Sequence, residues 1–349
     1  MERARYILYN NDVPAASFEL GGGTVQSFCP LREELLPKQL LRASADGFTL
    51  WLQARAIDLN TFQHRQLAQA LTGSRDKTSI AIAAHMFSIS DTFTCFAEGT
   101  FIPRGALCSP REQERVSDFI LVSSDTSLRQ AGMREGGMFS PNLSTDGSFT
   151  KTWRFEEGEW WLYKLQPPQA TVSECEISKV LMASGFDAAE YRYCDEARTR
   201  IRTRNFVGAG EFFEPYDSLR FMFEDKSDEE EVIYRNLASL GDEMEAAWRR
   251  ILLADALFMN TDRHMRNFGV IRSAATGEIL RLAPNFDNNQ AYKANPGGRY
   301  SGEMLRDFMQ AWGLEARDRT DLRLLLDACG KNPYLEDAAA CARDAMDKR

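Results

Sequence analysis

The chain has 349 residues, 44% of them hydrophobic and 27% charged, with a formal net charge of −9. This length suits roughly two globular domains. No apolar run approaches the roughly 18 residues of a membrane helix, and the acidic balance argues against a broad nucleic-acid-binding surface. Met1 to Asn10 is short and mixed and lacks the long apolar stretch of a secretory signal, so a cytoplasmic location is expected. The seven cysteines are scattered, odd in number and without a C-x-x-C pair, which fits thiols in a reducing compartment. With three histidines in all, a His/Cys zinc site is not expected, and any metal should sit on oxygen ligands.

In chain order, Arg5 to Tyr9 and Ala15 to Leu20 read as strands joined by a turn at Asn10-Asn11-Asp12. Thr61 to Leu71 reads as a helix. Residues 1–135 are mixed in pattern and carry no catalytic spacing, and the character changes near Gly136. Ser144 to Ser148 is a turn cluster. Lys151 to Phe155 and Trp160 to Leu165 then read as strands around a turn at Glu156 to Glu159. After Pro167-Pro168, Val172 to Ala183 reads as a helix with Ile177, Val180 and Leu181 on one face. Tyr191 to Cys194 and Ile201 to Val207 read as strands.

From Asp228 the chain turns helical, with acidic residues at the electropositive start. A second helix spans about Asp242 to Met259 and ends at Asn260-Thr261-Asp262, which are poor helix-interior residues. Phe268 to Ile271 and Ile279 to Leu282 read as a hairpin around Ser273 to Gly277. Gly302 to Arg349 is again helical in pattern. The expected class is α+β: a strand-rich half with one helix, then a helix-rich half, joined near Asn205 to Gly210.

The chemistry concentrates in Asn260-Thr261-Asp262-Arg263-His264-Met265-Arg266-Asn267-Phe268-Gly269 and in Pro284-Asn285-Phe286-Asp287. A hairpin between them folds Asp287 back towards Asn267. Phosphoryl transfer needs such a set. Mg²⁺ bridges the phosphate oxygens and takes one or two carboxylates or carbonyls besides waters, and a further carboxylate orients the attacking hydroxyl and accepts its proton. An Asp, an Asn five positions on and an Asp some twenty residues later match the kinase catalytic loop and metal-binding Asp. Asp262 is therefore expected as the base, with Asn267 and Asp287 as Mg²⁺ ligands. His264 is counted among the nucleotide-contacting residues, a structural role being the alternative.

Lys164 lies in an aromatic and aliphatic strand, where a lysine is costly to bury unless it meets an anion. It is expected to contact ATP phosphates and to pair with Glu176 on the following helix, Glu174 being the rival. A solvent-facing edge lysine is the other reading. Gly147, Ser148 and Lys151 belong to a loop that could cover the phosphates, although it is not a G-x-G-x-x-G and an ordinary hairpin turn is equally compatible.

These residues resemble the HipA-like bacterial serine/threonine kinases, named for the toxin of a persistence toxin–antitoxin pair. Asp262 to Gly269 and Asn285-Phe286-Asp287 carry the resemblance. Thr145 to Trp153 is similar to that family's phosphate loop, and Glu176 with Leu181-Met182-Ala183 to its helix, with Cys175 where Asn is usual. The similarity is clearest over about residues 138–310. More loosely, Leu36-Pro37, Trp51 to Asp58 and Ser88 to Thr92 resemble the N-terminal part of stand-alone HipA-like proteins.

The resemblance implies a bilobal protein-kinase-like fold. Residues 1–135 would form an N-terminal extension, 136–207 a strand-rich N-lobe and 208–349 a helical C-lobe. It implies ATP and Mg²⁺ as cofactors, a protein Ser/Thr hydroxyl as substrate, and Asn205, Phe206 and Val207 near the adenine. It also allows an antitoxin or regulator protein as partner, with no direct nucleic-acid or membrane binding. Ser144, Thr145, Ser148 and Thr150 are candidate autophosphorylation sites. Two departures concern activation: Thr261 precedes the catalytic Asp, and Asn288-Asn289 replace Phe-Gly after Asp287. A phosphatidylinositol-type lipid kinase shares the Asp-Arg-His-x-x-Asn pattern, but this acidic chain lacks the polybasic cluster a membrane surface would attract. A kinase fold that only binds a nucleotide or a partner is the other alternative.

Overall fold

The structure, a computed structural model, describes residues 3–60, 62–108, 110–121, 140, 142, 149–294, 301–313 and 315–347. The loop residues Ser144, Thr145, Gly147 and Ser148 lie outside that set. The chain divides into two compact units. One comprises Met1–Leu165, Val207–Glu214 and Ile271–Leu280; the other comprises Gln166–Phe206, Pro215–Val270 and Arg281–Arg349.

The first unit opens with strands β1 (Ala4–Asn10), β2 (Val13–Gly21) and β3 (Thr24–Pro30). Helices α1 (Ala45–Ala54), α2 (Phe62–Thr72) and α3 (Lys77–Ala83) follow, then β4 (Phe93–Ala97) and α4 (Pro110–Leu121). The four strands form an antiparallel sheet in the order β3-β2-β1-β4. Asn11 and Asp12 turn the first hairpin with positive φ, the backbone state that Asn and Asp tolerate best. Phe18, Phe48, Trp51 and Phe93 pack ring against ring under α1, with Phe212 continuing the stack. Strands β5 (Thr150–Glu156) and β6 (Glu159–Leu165) form a second hairpin, turned at Glu157 and Gly158. Helix α4 packs against β5.

In the second unit α5 (Pro168–Ala183) starts with a proline in its first turn, where the missing N–H costs nothing. It packs on β7 (Tyr191–Tyr193), which pairs antiparallel with β8 (Arg200–Arg204). Strand β9 (Glu211–Pro215) leads into α6 (Tyr216–Leu219), α7 (Glu230–Ala238) and the long α8 (Asp242–Phe258). Strands β10 (Gly269–Ser273) and β11 (Ile279–Leu282) follow. The parts of β9, β10 and β11 that belong to the first unit form a three-stranded sheet in the order β11-β10-β9. There Arg272 is fully buried against Glu214 and the carbonyls of Glu34, Leu36 and Gly277.

Helices α9 (Ser301–Trp312), α10 (Ala316–Cys329) and α11 (Glu336–Asp347) close the second unit around α8. The buried Arg249–Asp318 pair joins α8 to α10. Among the described residues, no helix is long and apolar enough to cross a membrane. None of the six described cysteines forms a disulfide: Cys95, Cys175 and Cys329 are buried, Cys108 half-buried, Cys29 and Cys194 exposed.

Candidate active site

Helix α8 stops at Met259, which takes a left-handed conformation (φ 54°) and turns the chain out of the helix. Asn260 follows, buried. Its Nδ2 donates to Asp255 Oδ1 and to Asn288 Oδ1, both at 3.1 Å, and its Oδ1 accepts from the Asp262 N–H. The loop then tightens on itself: the His264 N–H donates to the Asp262 carbonyl at 2.9 Å, and the Asn267 N–H to the His264 carbonyl at 2.8 Å. Asn267 Nδ2 also donates to the Asp262 carbonyl, at 3.2 Å. That bond commits the amide nitrogen to the loop and leaves Oδ1 as an acceptor. Further anchoring comes from α6, where the Asp217 N–H donates to the Met265 carbonyl and the Tyr216 N–H to the Phe268 carbonyl. Phe268 itself is wedged between Tyr216 and Trp248.

The second loop is fixed as tightly. The Ala283 N–H donates to the Gly269 carbonyl at 2.8 Å. Asn285 exchanges backbone hydrogen bonds with the segment after α5, accepting from Ala189 N–H and donating to the Asp187 carbonyl. Asp287 has φ 61°, and its N–H donates to the Tyr191 hydroxyl at 3.1 Å. A non-glycine residue in this region carries strain that the surrounding structure must hold, a condition common at functional sites.

Arg263 joins the two loops. Its Nε and Nη2 grip both oxygens of Asp255 at 2.9 Å. Nη1 donates to the Asn267 carbonyl at 3.0 Å and to the Phe286 carbonyl at 2.6 Å. Nη2 also reaches Asn288 Oδ1 at 2.9 Å and Asn285 Oδ1 at 3.3 Å. One guanidinium thus holds the backbone next to Asp262, the backbone of Asn267 and the residue before Asp287. Burial pulls its pKa down, but Asp255, with Asp287 and Tyr191 adding to it, raises it above the ordinary arginine value. The cation is permanent, and Asp287 lies within its field.

Asp262 and Asp287 are half-buried. Gln290 Nε2 donates to Asp262 Oδ2 at 2.7 Å, and Asn289 Nδ2 donates to Asp287 Oδ1 at 3.1 Å. Among the described residues, no group of three or more His, Cys, Asp and Glu side chains is placed to hold a metal ion. Asp262, Asn267 and Asp287 offer two carboxylates and one amide instead. Such a set fits a cation that keeps several waters and takes further oxygens from phosphate, as Mg²⁺ does. His264 is exposed, and its Nδ1 accepts from the Arg266 N–H at 3.3 Å, so it shapes the turn of the loop.

The remaining expected residues fall in separate places. Phe206 is half-buried, with its ring centroid 5.2 Å from that of Phe286, the residue before Asp287. Asn205 and Val207 flank it, partly exposed. Glu176 is committed elsewhere: Oε1 accepts from Lys179 Nζ and the Tyr193 hydroxyl, each at 2.8 Å, and Oε2 from Asn332 Nδ2 at 2.9 Å. Burial raises its pKa, but these three donors outweigh burial and hold the carboxyl below its usual range. Its rival Glu174 is fully buried and accepts from Gln166 Nε2 at 2.6 Å. In the first unit Lys151 stands directly across the β5–β6 ladder from the buried Lys164, which concentrates positive charge on one face of that hairpin.

No family model matches the sequence, and no curated protein matches it either. Solved structures do. HipA of Shewanella oneidensis MR-1, solved with HipB and its operator DNA, matches with a TM-score of 0.55 at 13% identity, over 97% of this chain and 91% of that one. The proinflammatory kinase CtkA of Helicobacter pylori matches with a TM-score of 0.41 at 16% identity, over 57% of this chain and 89% of that one.

The fold is HipA-like.

Within this HipA-like fold the sequence reading had missed Asp255, Asn260, Asn288, Asn289 and Gln290. Asp255 lies within the helix expected over about Asp242 to Met259 and is buried because it faces Arg263. An acidic residue among apolar neighbours (Leu252 to Leu257), eight positions before an arginine, was the available signal. The run of side-chain amides from Asn285 to Gln290 was another.

Proposed function

We propose that the chain is an ATP- and Mg²⁺-dependent kinase that phosphorylates serine or threonine hydroxyls of a protein substrate. The observation that supports this most is the Arg263 clamp, which gathers the loop of Asp262 and Asn267 and the loop of Asp287 around one buried cation. Asp262 orients the substrate hydroxyl and takes its proton, and Gln290 keeps the carboxylate from rotating away. Asn267 and Asp287 would hold Mg²⁺, which when bound neutralises charge on the transferring phosphoryl group. Phosphate contacts are assigned to Lys151 and Lys164, and the adenine to the neighbourhood of Phe206. Glu174 replaces Glu176 as the acidic residue of α5 assigned to this machinery, because Glu176 is spent on Tyr193, Lys179 and Asn332. A protein partner of the antitoxin type belongs to the same reading, supported by the HipA likeness, since that HipA was solved with HipB; a cytoplasmic setting is part of the proposal.

The test is transfer from labelled ATP to total cell protein by the wild type, Asp262→Asn and Asp287→Asn. Each substitution is expected to lower transfer by at least about a hundredfold, as loss of a preorganised electrostatic group does. Folded variants that retain wild-type transfer would refute the site. Transfer to lipid vesicles in place of protein would favour the lipid-kinase alternative.

A further inference from the structure

Asn289 has one side-chain atom that nothing in the fold uses. The residue is 8% exposed. Its Nδ2 donates to Asp287 Oδ1 at 3.1 Å, whereas its Oδ1 is buried and has no hydrogen-bond partner. A buried amide oxygen without a donor is costly, and such orphans in a folded protein point to a water or ion that belongs there. Rotating the amide would not cure the deficit, because it would set an oxygen against the Asp287 carboxylate and lose the one bond the group makes. The orphan acceptor is therefore fixed beside the carboxylate assigned to the metal.

Divalent cations such as Mg²⁺ keep several waters when only one or two protein oxygens bind them. Those waters are polarised, strong donors and need acceptors around them. We infer that Asn289 is a further residue of the metal site: its Nδ2 fixes Asp287, and its Oδ1 accepts a hydrogen bond from a water carried by the cation. This inference rests on the kinase reading for the cation itself. It assigns to Asn289 a role that the pattern of Asp262, Asn267 and Asp287 does not contain.

The experiment titrates Mn²⁺ into the full chain with a non-hydrolysable ATP analogue and reads bound Mn²⁺ by electron paramagnetic resonance, with circular dichroism and melting curves of each variant as folding controls. Asn289→Ala removes both atoms, and Asn289→Asp keeps an acceptor while removing the donor. The wild type is expected to bind Mn²⁺. Asn289→Ala should weaken binding about 10- to 100-fold, the range seen when outer partners of metal ligands are lost. Asn289→Asp should weaken binding less than Asn289→Ala: it loses the bond to Asp287 and sets an oxygen against that carboxylate, but it keeps the acceptor and adds a charge that attracts the cation. Equal binding by Asn289→Ala and wild type would overturn the inference and leave the kinase reading standing. Equal weakening in both variants would also overturn it, reducing Asn289 to a prop for Asp287. Absence of Mn²⁺ binding in the wild type would sink the metal assignment itself, and the inference with it.

Discussion

Replacing Arg263 with Met tests whether one guanidinium holds the two loops together. The substitution keeps much of the aliphatic volume and removes every N–H. It strands the Asp255 carboxylate, whose side chain is 9% exposed, and orphans the carbonyls of Asn267 and Phe286. Losing one partner of a buried ion pair costs about 3–5 kcal/mol. For a domain of roughly 150–250 residues each kcal/mol lowers the melting temperature by about 2–4 °C, so the expected drop is about 6–20 °C. Adding Asp255→Asn removes the stranded charge, and the double variant should regain about 1–3 kcal/mol relative to Arg263→Met alone. Arg263→Lys should recover part of the attraction to Asp255 but not the fork that spans both loops. The assay is calorimetric melting of these three variants and of Asp255→Asn alone, beside wild type. A drop below about 1 kcal/mol for Arg263→Met, or strict additivity with Asp255→Asn, would show that Arg263 is not the clamp.

Two further substitutions probe other contacts. Gly277→Ala would place a Cβ 1.8 Å from the Glu34 carbonyl oxygen in a backbone of φ 74°, so it should destabilise by at least about 2 kcal/mol; urea melts equal to wild type would contradict the packing there. Gln290→Leu removes the donor on Asp262 Oδ2, a bond to a charged group worth about 1.5–3 kcal/mol. Steady-state kinetics should show kcat lowered about tenfold with the KM for ATP unchanged, and an unchanged kcat would remove Gln290 from the mechanism.

Much of the scaffold could be read before the structure, because turns and caps are local chemistry. Asn11-Asp12 and Glu157-Gly158 turn hairpins where the sequence placed them, and α8 ends where Asn260 and Thr261 follow its last apolar residues. Boundaries drifted where a local signal was ambiguous. Pro167-Pro168 read as a break, but a proline in the first turn lets α5 begin at Pro168 instead of Val172. The strand expected to run to Val207 stops at Arg204, and Asn205 to Val207 continue without ladder pairing.

The choice between Glu174 and Glu176 was not decidable from periodicity. Positions two apart point to different faces of a helix, and α5 is buried on nearly all its faces, so both carboxylates are buried and only their partners separate them. Arg263 was likewise hidden, since an Asp-Arg pair in a loop looks solvent-exposed until the amides of Asn285 and Asn288 arrive from twenty residues further along.

The distribution of thiols gives the molecule a built-in ruler. Among the described cysteines, the exposed ones are Cys29 on β3, in the first unit, and Cys194 just after β7, in the second, while Cys95 and Cys329 are buried deeply enough that their pKa is pushed up to about 12. Alkylating dyes attack thiolates, so at neutral pH those buried sulfurs should stay inert and the two surface positions should react. A donor–acceptor fluorophore pair could then sit on native side chains, one on each unit, without any engineered cysteine.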